Sequence, residues 1–526
     1  MTECTTTTFA FHDLGARQVI AAFDGGAITS DAGGLLLREV EAKFHFLDQF
    51  AQCFTDYRAP DLIEHTVPQL LKQRVFGLCL GYEDRNDHDR LRFDPLVAVL
   101  VGKTDPTGQD RARARDRGKA LAGKSTLNRL ELTPVRAKAS SRYQKIVAHL
   151  SAIEDFLVEA CVQQYLLPPT RIVLDVDATD LPVHGHQLGR FFHGYYDHHC
   201  YLPLYIFWGD QPLCARLRPA DIDAAAGAVK QLARIVAHLR RHWPGVAIVV
   251  RADSGFCREP LLRWCETNDV AYVIGLAKNQ RLLRILGGER HLAQQQFAAT
   301  GAAARVFKDF TYRTHKSWSR ARRVIGKAEH LAKGANPRFV VTSLDATVAA
   351  DVLYEQEYCG RGDAENRIKE QKQLFAQRVS CATMRANQLR LYLSTVAYII
   401  MRCLRAFGLG TQPATVPAPA VDAPAPALAT PALATPAPPV GAGTPPRPVR
   451  LPLATAQCDT IRVQLLKIGA LVRVSARRVV LALAEGYPWR EVFERVWRNL
   501  QQVVVPPRPV PLGTSGDGAT GPPPLS

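Results

Sequence analysis

The chain has 526 residues, which at roughly 100–200 residues per domain allows about three domains. A hydrophobic share of 47% with 22% charged residues excludes fibrous and wholly disordered classes. The 66 Lys+Arg against 49 Asp+Glu leave a formal charge of +17, an excess that favours a polyanionic partner, with nucleic acid ahead of an anionic membrane.

The chain begins Met1-Thr2-Glu3-Cys4, with no basic stretch followed by an apolar one, so no signal peptide is expected. None of the twelve cysteines forms a C-x-x-C pair. Reduced thiols in a cytoplasm fit that scatter, and zinc-finger spacing is absent. Residues 1–160 read as a mainly helical N-terminal domain, with apolar positions at helical spacing over Thr66 to Cys79. The run Arg111 to Lys138 is rich in Arg and Lys; it is either a solvated loop and helix face or a surface that contacts phosphates.

From Pro168 the pattern changes. Arg171 to Asp177 is a β-branched apolar run that ends in acid, and Phe191 to Asp197, Tyr201 to Trp208 and Pro212 to Leu217 follow as strand-like runs. Ala224 to His242 reads as a helix, Gly245 to Asp253 as a buried strand again ending in acid, Glu259 to Thr267 as a helix, and Ala271 to Leu276 as a strand. This order fits an α/β domain with a mixed sheet over 165–408, in the arrangement of strand, meander and helical crossover found in ribonuclease-H-like folds. More chain lies between Leu276 and Tyr354 than a strand-to-helix connection needs, so 279–350 is expected to form an inserted β-rich subdomain. A helix is predicted around Tyr354 to Phe375. The apolar stretch Leu389 to Phe407 is interrupted by Arg390, Ser394, Arg402 and Arg405, too often for a membrane span. Pro413 to Pro448 holds twelve prolines and is expected to be a disordered linker within 409–452. Residues 453–503 read as helical, and 504–526 as a disordered tail.

Asp177 and Asp253 each close an apolar strand, the end of an open α/β sheet where ligands gather. Two such carboxylates can meet at one cleft and attract hard divalent cations. Taken singly, either one is more often a turn or helix cap than a metal ligand. On the predicted helix, Tyr358, Arg361, Glu365 and Lys372 fall within one stripe of about 60° at ~100° per residue. The stripe is either a salt-bridged surface ladder or a catalytic face on which Glu365 is a third metal ligand.

Tyr358-x-x-Arg361-x-x-x-Glu365-x-x-x-x-x-x-Lys372 resembles the Y-R-E-K signature of DDE transposases from bacterial insertion sequences. Asp177-Ala-Thr179 and Arg251-Ala-Asp253-Ser-Gly-Phe256 resemble the first- and second-aspartate segments of that family. The stretches Asp84 to Pro95, Thr126 to Glu131, Gly194 to Asp197 and Met384 to Leu391 are similar to one branch of it. The likeness runs from about residue 10 to residue 500, with the proline-rich stretch as the main departure. The resemblance implies a ribonuclease-H-like catalytic domain. In it Asp177, Asp253 and Glu365 hold two Mg²⁺ ions roughly 4 Å apart, with Mn²⁺ as a substitute. Tyr358, Arg361 and Lys372 hold the DNA backbone.

The implied reaction is cleavage at the element's terminal inverted repeats followed by joining of 3′-hydroxyl ends to target DNA (cut-and-paste), carried out by a homodimer on paired ends in the bacterial cytoplasm. Residues 1–160 then become a DNA-binding domain. Asp175, two residues before Asp177 on the same strand face, is the alternative first ligand. Two further readings are a nuclease of the same fold that does not join ends and a domesticated, non-catalytic DNA-binding protein.

From Arg305 to Arg338 there are ten Lys/Arg and two acids. By resemblance, Trp318 in this stretch stacks on an extruded base, with Arg322 and Arg323 contacting DNA; alternatively, Trp318 packs on its own sheet. His184, His186, His193, His198, His199 and Cys200 crowd one segment, but with no common metal-site spacing.

Overall fold

The apolar, β-branched runs between Arg171 and Leu276 pair with one another into a mixed sheet. In chain order they are β1 (Arg171–Ala178), β2 (Leu204–Trp208), β3 (Gln211–Arg216), β4 (Ala247–Ala252) and β5 (Ala271–Leu276). The computed structural model describes residues 7–410 and 451–505. It adds β6 (Ala304–Tyr312), β7 (Arg322–Leu331) and β8 (Arg338–Thr342). The spatial order is β3-β2-β1-β4-β5-β8-β7-β6, and a short Gly334–Ala335 strand beside β7 makes nine. β4 runs parallel to both β1 and β5; the remaining neighbours along this order are antiparallel. The expected linker run Pro413–Pro448 and the tail from Pro506 lie outside the described residues.

The inserted subdomain expected over 279–350 is not separate from this sheet. Its strands continue the sheet through β8, which pairs with β5 from Val273↔Thr342 to Leu276↔Phe339. A free β5 edge would leave backbone donors and acceptors unpaired beside the core, and β8 satisfies them. The first part of the segment is helical, Gln280–Ile285 and Gly287–Thr300. Conversely, the run near Phe191 leaves the sheet. Leu181–Pro182, Phe191–His193 and His198–Tyr201 form a small three-stranded sheet of their own.

Side chains alternate across the strands. Ile172, Leu174, Val176, Ile248 and Val250 share one core with α1 (Leu150–Val162), α2 (Ala228–His242) and the helix Glu259–Thr267. On the opposite face, Val173, Val249, Val273, Ile325 and Val340 are covered by Leu353 and Tyr354.

A second core joins the two ends of the chain. Leu36, Phe50, Leu70 and Phe76 of the largely helical N-terminal region pack with Leu391, Val396 and Ile400, and with Ile461, Leu465, Val496 and Leu500. The segment that carries the last of these departs from the expectation that 453–503 is helical throughout. Arg490–Gln501 is a helix, but Ala470–Val474 and Val479–Leu483 form an antiparallel hairpin whose first strand pairs with Ile28–Thr29. Val472, Val474, Val479 and Val480 are β-branched, and the distant partner strand decides their conformation. By length and hydropathy, the helix Met384–Leu409 is long and apolar enough to cross a membrane, yet 94% of its most apolar window is buried in the chain. It is the core helix that both halves share.

Three of the stretches that carry the family resemblance meet in this second core. Glu131, fully buried, accepts from Arg74 Nε at 2.8 Å and Arg390 Nε at 2.9 Å, with Arg85 Nη1 at 3.3 Å. Arg378 binds Asp84 at 3.2 Å beside it. These residues hold the scaffold together and lie apart from the strand-end aspartates.

Candidate active site

Register sets the site. Ala252 lies opposite Val176 on one side and Ile274 on the other, so the next residues, Asp177, Asp253 and Gly275, stand level across three adjacent strands about 4.8 Å apart. Asp177 Oδ1 accepts from the Ala178 amide at 2.9 Å, and Asp253 Oδ1 accepts from the Gly255 amide at 2.8 Å. These short local bonds fix both carboxylates at the carboxyl edge of the sheet.

The third acid comes from the segment that covers this face. The single regular helix predicted over Tyr354 to Phe375 is interrupted. Leu353–Tyr358 is a π-helical turn, Cys359–Arg361 a 3₁₀ turn, and the α-helix proper, α3, spans Gly362–Gln373. The even stripe computed at 100° per residue therefore does not carry Tyr358 and Arg361. Single π turns inside helices commonly occur where a function requires a side chain to be re-aimed. Here the Tyr358 hydroxyl lies so close to Gly275 that a Cβ there would meet it at 2.6 Å and the Ser254 amide nitrogen at 2.9 Å. Only glycine lets the tyrosine enter beside Asp253.

Arg361 bridges the acids. Its Nη2 donates to Glu365 Oε1 at 3.0 Å, and its Nη1 is 3.9 Å from Asp177 Oδ2. The Glu365 side chain is 50% exposed. The ligand atoms of Asp177, Asp253 and Glu365 are not grouped within 4.8 Å of one another, and Arg361 contacts both the first and the third. Burial pushes the Asp177 carboxyl from 3.8 up to about 6; Arg361 opposes the rise, and Asp253 and Glu365 add to it. An all-oxygen donor set with surplus negative charge is the chemistry that hard divalent cations neutralise.

The shift has a measurable consequence. Asp177 costs no folding energy below about pH 4, where it is protonated in both states, and an increasing amount as pH rises toward 6. Two pKa units correspond to ~3 kcal/mol. Asp177→Asn removes that cost along with the weak attraction to Arg361, so with chelator present it should be about 1–3 kcal/mol more stable than the parent at pH 8. The advantage should close near pH 4. Denaturant titrations at both pH values check this, and equal stabilities at pH 8 would refute it.

Asp175 and Asp177 share a strand face but not an environment. Both oxygens of Asp175 are taken by Arg251, Nε at 2.5 Å and Nη2 at 2.8 Å, and Arg251 Nη1 also donates to the Glu357 carbonyl at 2.6 Å. Arg171 adds a bidentate pair to the Glu357 carboxylate. Sequence reasoning gave Arg251 no role of its own beside Asp253 and passed over Glu357 and Gly275. The register pair Arg251↔Asp175 explains the first, and a glycine within an apolar strand was the available sign of the last.

Lys372 lies half-buried near the far end of α3. Three other residues expected to contact DNA have partners within the protein. Trp318 is 4% exposed, packed edge-on to Tyr312 at 5.8 Å and under Arg322 at 5.3 Å. Arg322 is buried between Glu259 and Glu266. Arg323 binds Asp309 and the carbonyls of Leu344, Asp345 and Val348. The acids of neighbouring elements absorb these cations. Among the described residues the crowded histidine segment forms no metal-spaced group, and His198 instead pairs with Asp180 at 2.9 Å.

No curated protein matches the chain significantly. The sequence model of one family, described as transposase DDE domain group 1, matches residues 11–418 and 447–505 and passes over the middle of the proline-rich run. With two level strand-end aspartates, a glutamate brought to the same edge and a family match across nearly the whole chain, the protein belongs to the DDE transposases.

Proposed function

We propose that the chain is a metal-dependent DNA phosphoryl transferase that cuts at the ends of its own insertion sequence and joins the 3′-hydroxyl ends to target DNA. The observation that carries the proposal is the level placement of Asp177 and Asp253, with Glu365 reaching the same edge. The order of the first five strands, β3-β2-β1-β4-β5, supports a ribonuclease-H-like reading of the catalytic region.

In this reading Asp177, Asp253 and Glu365 hold two divalent cations, Mg²⁺ or Mn²⁺, which when bound supply charge neutralisation at the scissile phosphate and acidify the attacking hydroxyl. Asp177 is the ligand and Asp175 is not, because Arg251 already occupies both Asp175 oxygens. Arg361, bonded to Glu365 and near Asp177, is placed to exchange these carboxylates for a DNA phosphate. The Tyr358 hydroxyl is held at the cleft by Gly275 and orients the backbone, and Lys372 extends the phosphate contacts along α3.

Residues 1–160 supply further DNA contacts. Arg58, Arg92, Arg111, Arg113, Lys119 and Arg129 line one groove with Asp61, Glu64, Asp89 and Asp116, Arg111 being paired with Glu64, and Arg129 and Arg142 flank exposed Tyr143 at 5.4 and 4.9 Å. A groove in which cations outnumber acids, continuing into an aromatic flanked by Arg129 and Arg142, fits a phosphate backbone with an unpaired base. The protein works as a homodimer on paired inverted repeats in the bacterial cytoplasm. The free cysteines of the described residues are compatible with that compartment.

Incubating the protein with end-bearing DNA, Mg²⁺ and a target plasmid tests the proposal. Joined product is expected; nicks without joining mean a nuclease, and binding alone means a silent DNA-binding protein.

A further inference from the structure

We infer that the chain carries a second metal site, for a zinc-class transition ion, formed by Glu159, His238 and His242. Glu159 lies in the last turn of α1. His238 and His242 stand at i and i+4 near the end of α2, so they share one helix face. Both imidazoles direct Nε2 at the same carboxylate oxygen, Glu159 Oε2, at 3.0 and 3.1 Å. All three ligand atoms lie within 4.8 Å of one another. Four ligands around an ion with bonds of about 2.0–2.1 Å stand roughly 3.3 Å apart, so the trio needs little movement to close on an ion. The rings are stacked at 5.4 Å and 21°, which keeps the two nitrogens on one side.

Three observations favour a cation here over a plain polar seam. Among the described residues the ion-pair partners of Glu159 are the two histidines, and no Lys or Arg reaches it. Arg234, one turn earlier on α2, is committed to Glu154 and Asp155. Both helices also end at this point, and their terminal carbonyls add negative potential that a cation relieves. Exposure of 32% for Glu159 and 20% for His242 leaves an approach for the ion and for a water as fourth ligand.

Two imidazoles and one carboxylate select zinc, nickel, copper or cobalt over magnesium. The trio is therefore chemically distinct from the all-carboxylate centre, and it is spatially distinct too. α1 and α2 pack on the sheet face opposite Asp175 and Asp177, and their C-termini precede the first residues of β1 and β4. Six residues of strand at ~3.3 Å each put Asp177 about 20 Å further along. An ion at Glu159 would pin the end of α1 to α2 under the catalytic sheet.

Cobalt(II) is the probe. The full chain should bind Co²⁺ with the intense visible bands of a four-coordinate ion, which Zn²⁺ then displaces. A six-coordinate ion among carboxylates and waters absorbs only weakly, so the Asp177, Asp253 and Glu365 cleft does not contribute. His242→Ala, at a partly exposed position, and Glu159→Gln should each lose at least about tenfold in Co²⁺ affinity while keeping the parent's circular dichroism. Asp253→Ala should keep the bands. Absence of intense bands in the parent, or their survival in His242→Ala, would overturn the site whatever the outcome for DNA cleavage.

Discussion

Asp177→Ala, Asp253→Ala and Glu365→Ala chains should each bind end-bearing DNA with near-parental affinity and cleave it more than about 10³-fold more slowly. The magnitude follows from asking each carboxylate to supply at least ~4 kcal/mol of transition-state stabilisation through the ions it holds. The three substitutions are not equivalent in the folded protein. Asp177 is buried and its ionisation is costly, so its removal should leave melting unharmed. Glu365 is half exposed and bound to Arg361, so its removal costs little stability and isolates chemistry from folding. Glu365→Ala is for that reason the most informative. Parental cleavage by any one variant would remove that residue from the site, and loss of DNA binding together with cleavage would indicate disturbed structure in place of lost metal ligation.

The largest effect on stability is expected at Glu131. It is fully buried, and its two oxygens are held by Arg74, Arg390 and Arg85. Burial alone would raise its pKa, but the arginines outweigh it and hold the carboxyl below its usual range. Glu131→Ala leaves buried guanidinium groups without a counter-charge, which typically costs about 3–5 kcal/mol. The expected result is a large fall in the denaturant midpoint, with the helices Val67–Leu80 and Met384–Cys403 losing amide-exchange protection together, since Arg74 and Arg390 sit on them. A Glu131→Ala chain within about 1 kcal/mol of the parent, the scale of an ordinary hydrogen bond, would show that the cluster is dispensable.

The two aspartate strands and the helix carrying Glu365 were legible in the sequence because their signals are local. A β-branched run ending in acid and an i,i+4 Arg–Glu pair need only near neighbours. The partners of Trp318, Arg322 and Arg323 were not legible, for the complementary reason. Glu259, Glu266 and Asp309 absorb the two arginines from neighbouring elements, and Trp318 packs beneath Arg322 and against Tyr312. A basic stretch in a sequence says nothing about which of its charges find an acid in space. The same holds for 470–483, whose strand state is set by Ile28–Thr29 more than four hundred positions away.

By itself, the order of residues determined that apolar alternating runs become strands, that two of these end in carboxylates, and that a basic chain seeks a polyanion. Tertiary structure alone decided which carboxylate is free. Asp175 and Asp177 are alike in spacing and face, and they part company because Arg251 stands in register with the first while Arg361 only approaches the second. Pairwise electrostatics depend on separation and burial, and for residues distant along the chain both come into being when the strands pair and the covering helix settles on them.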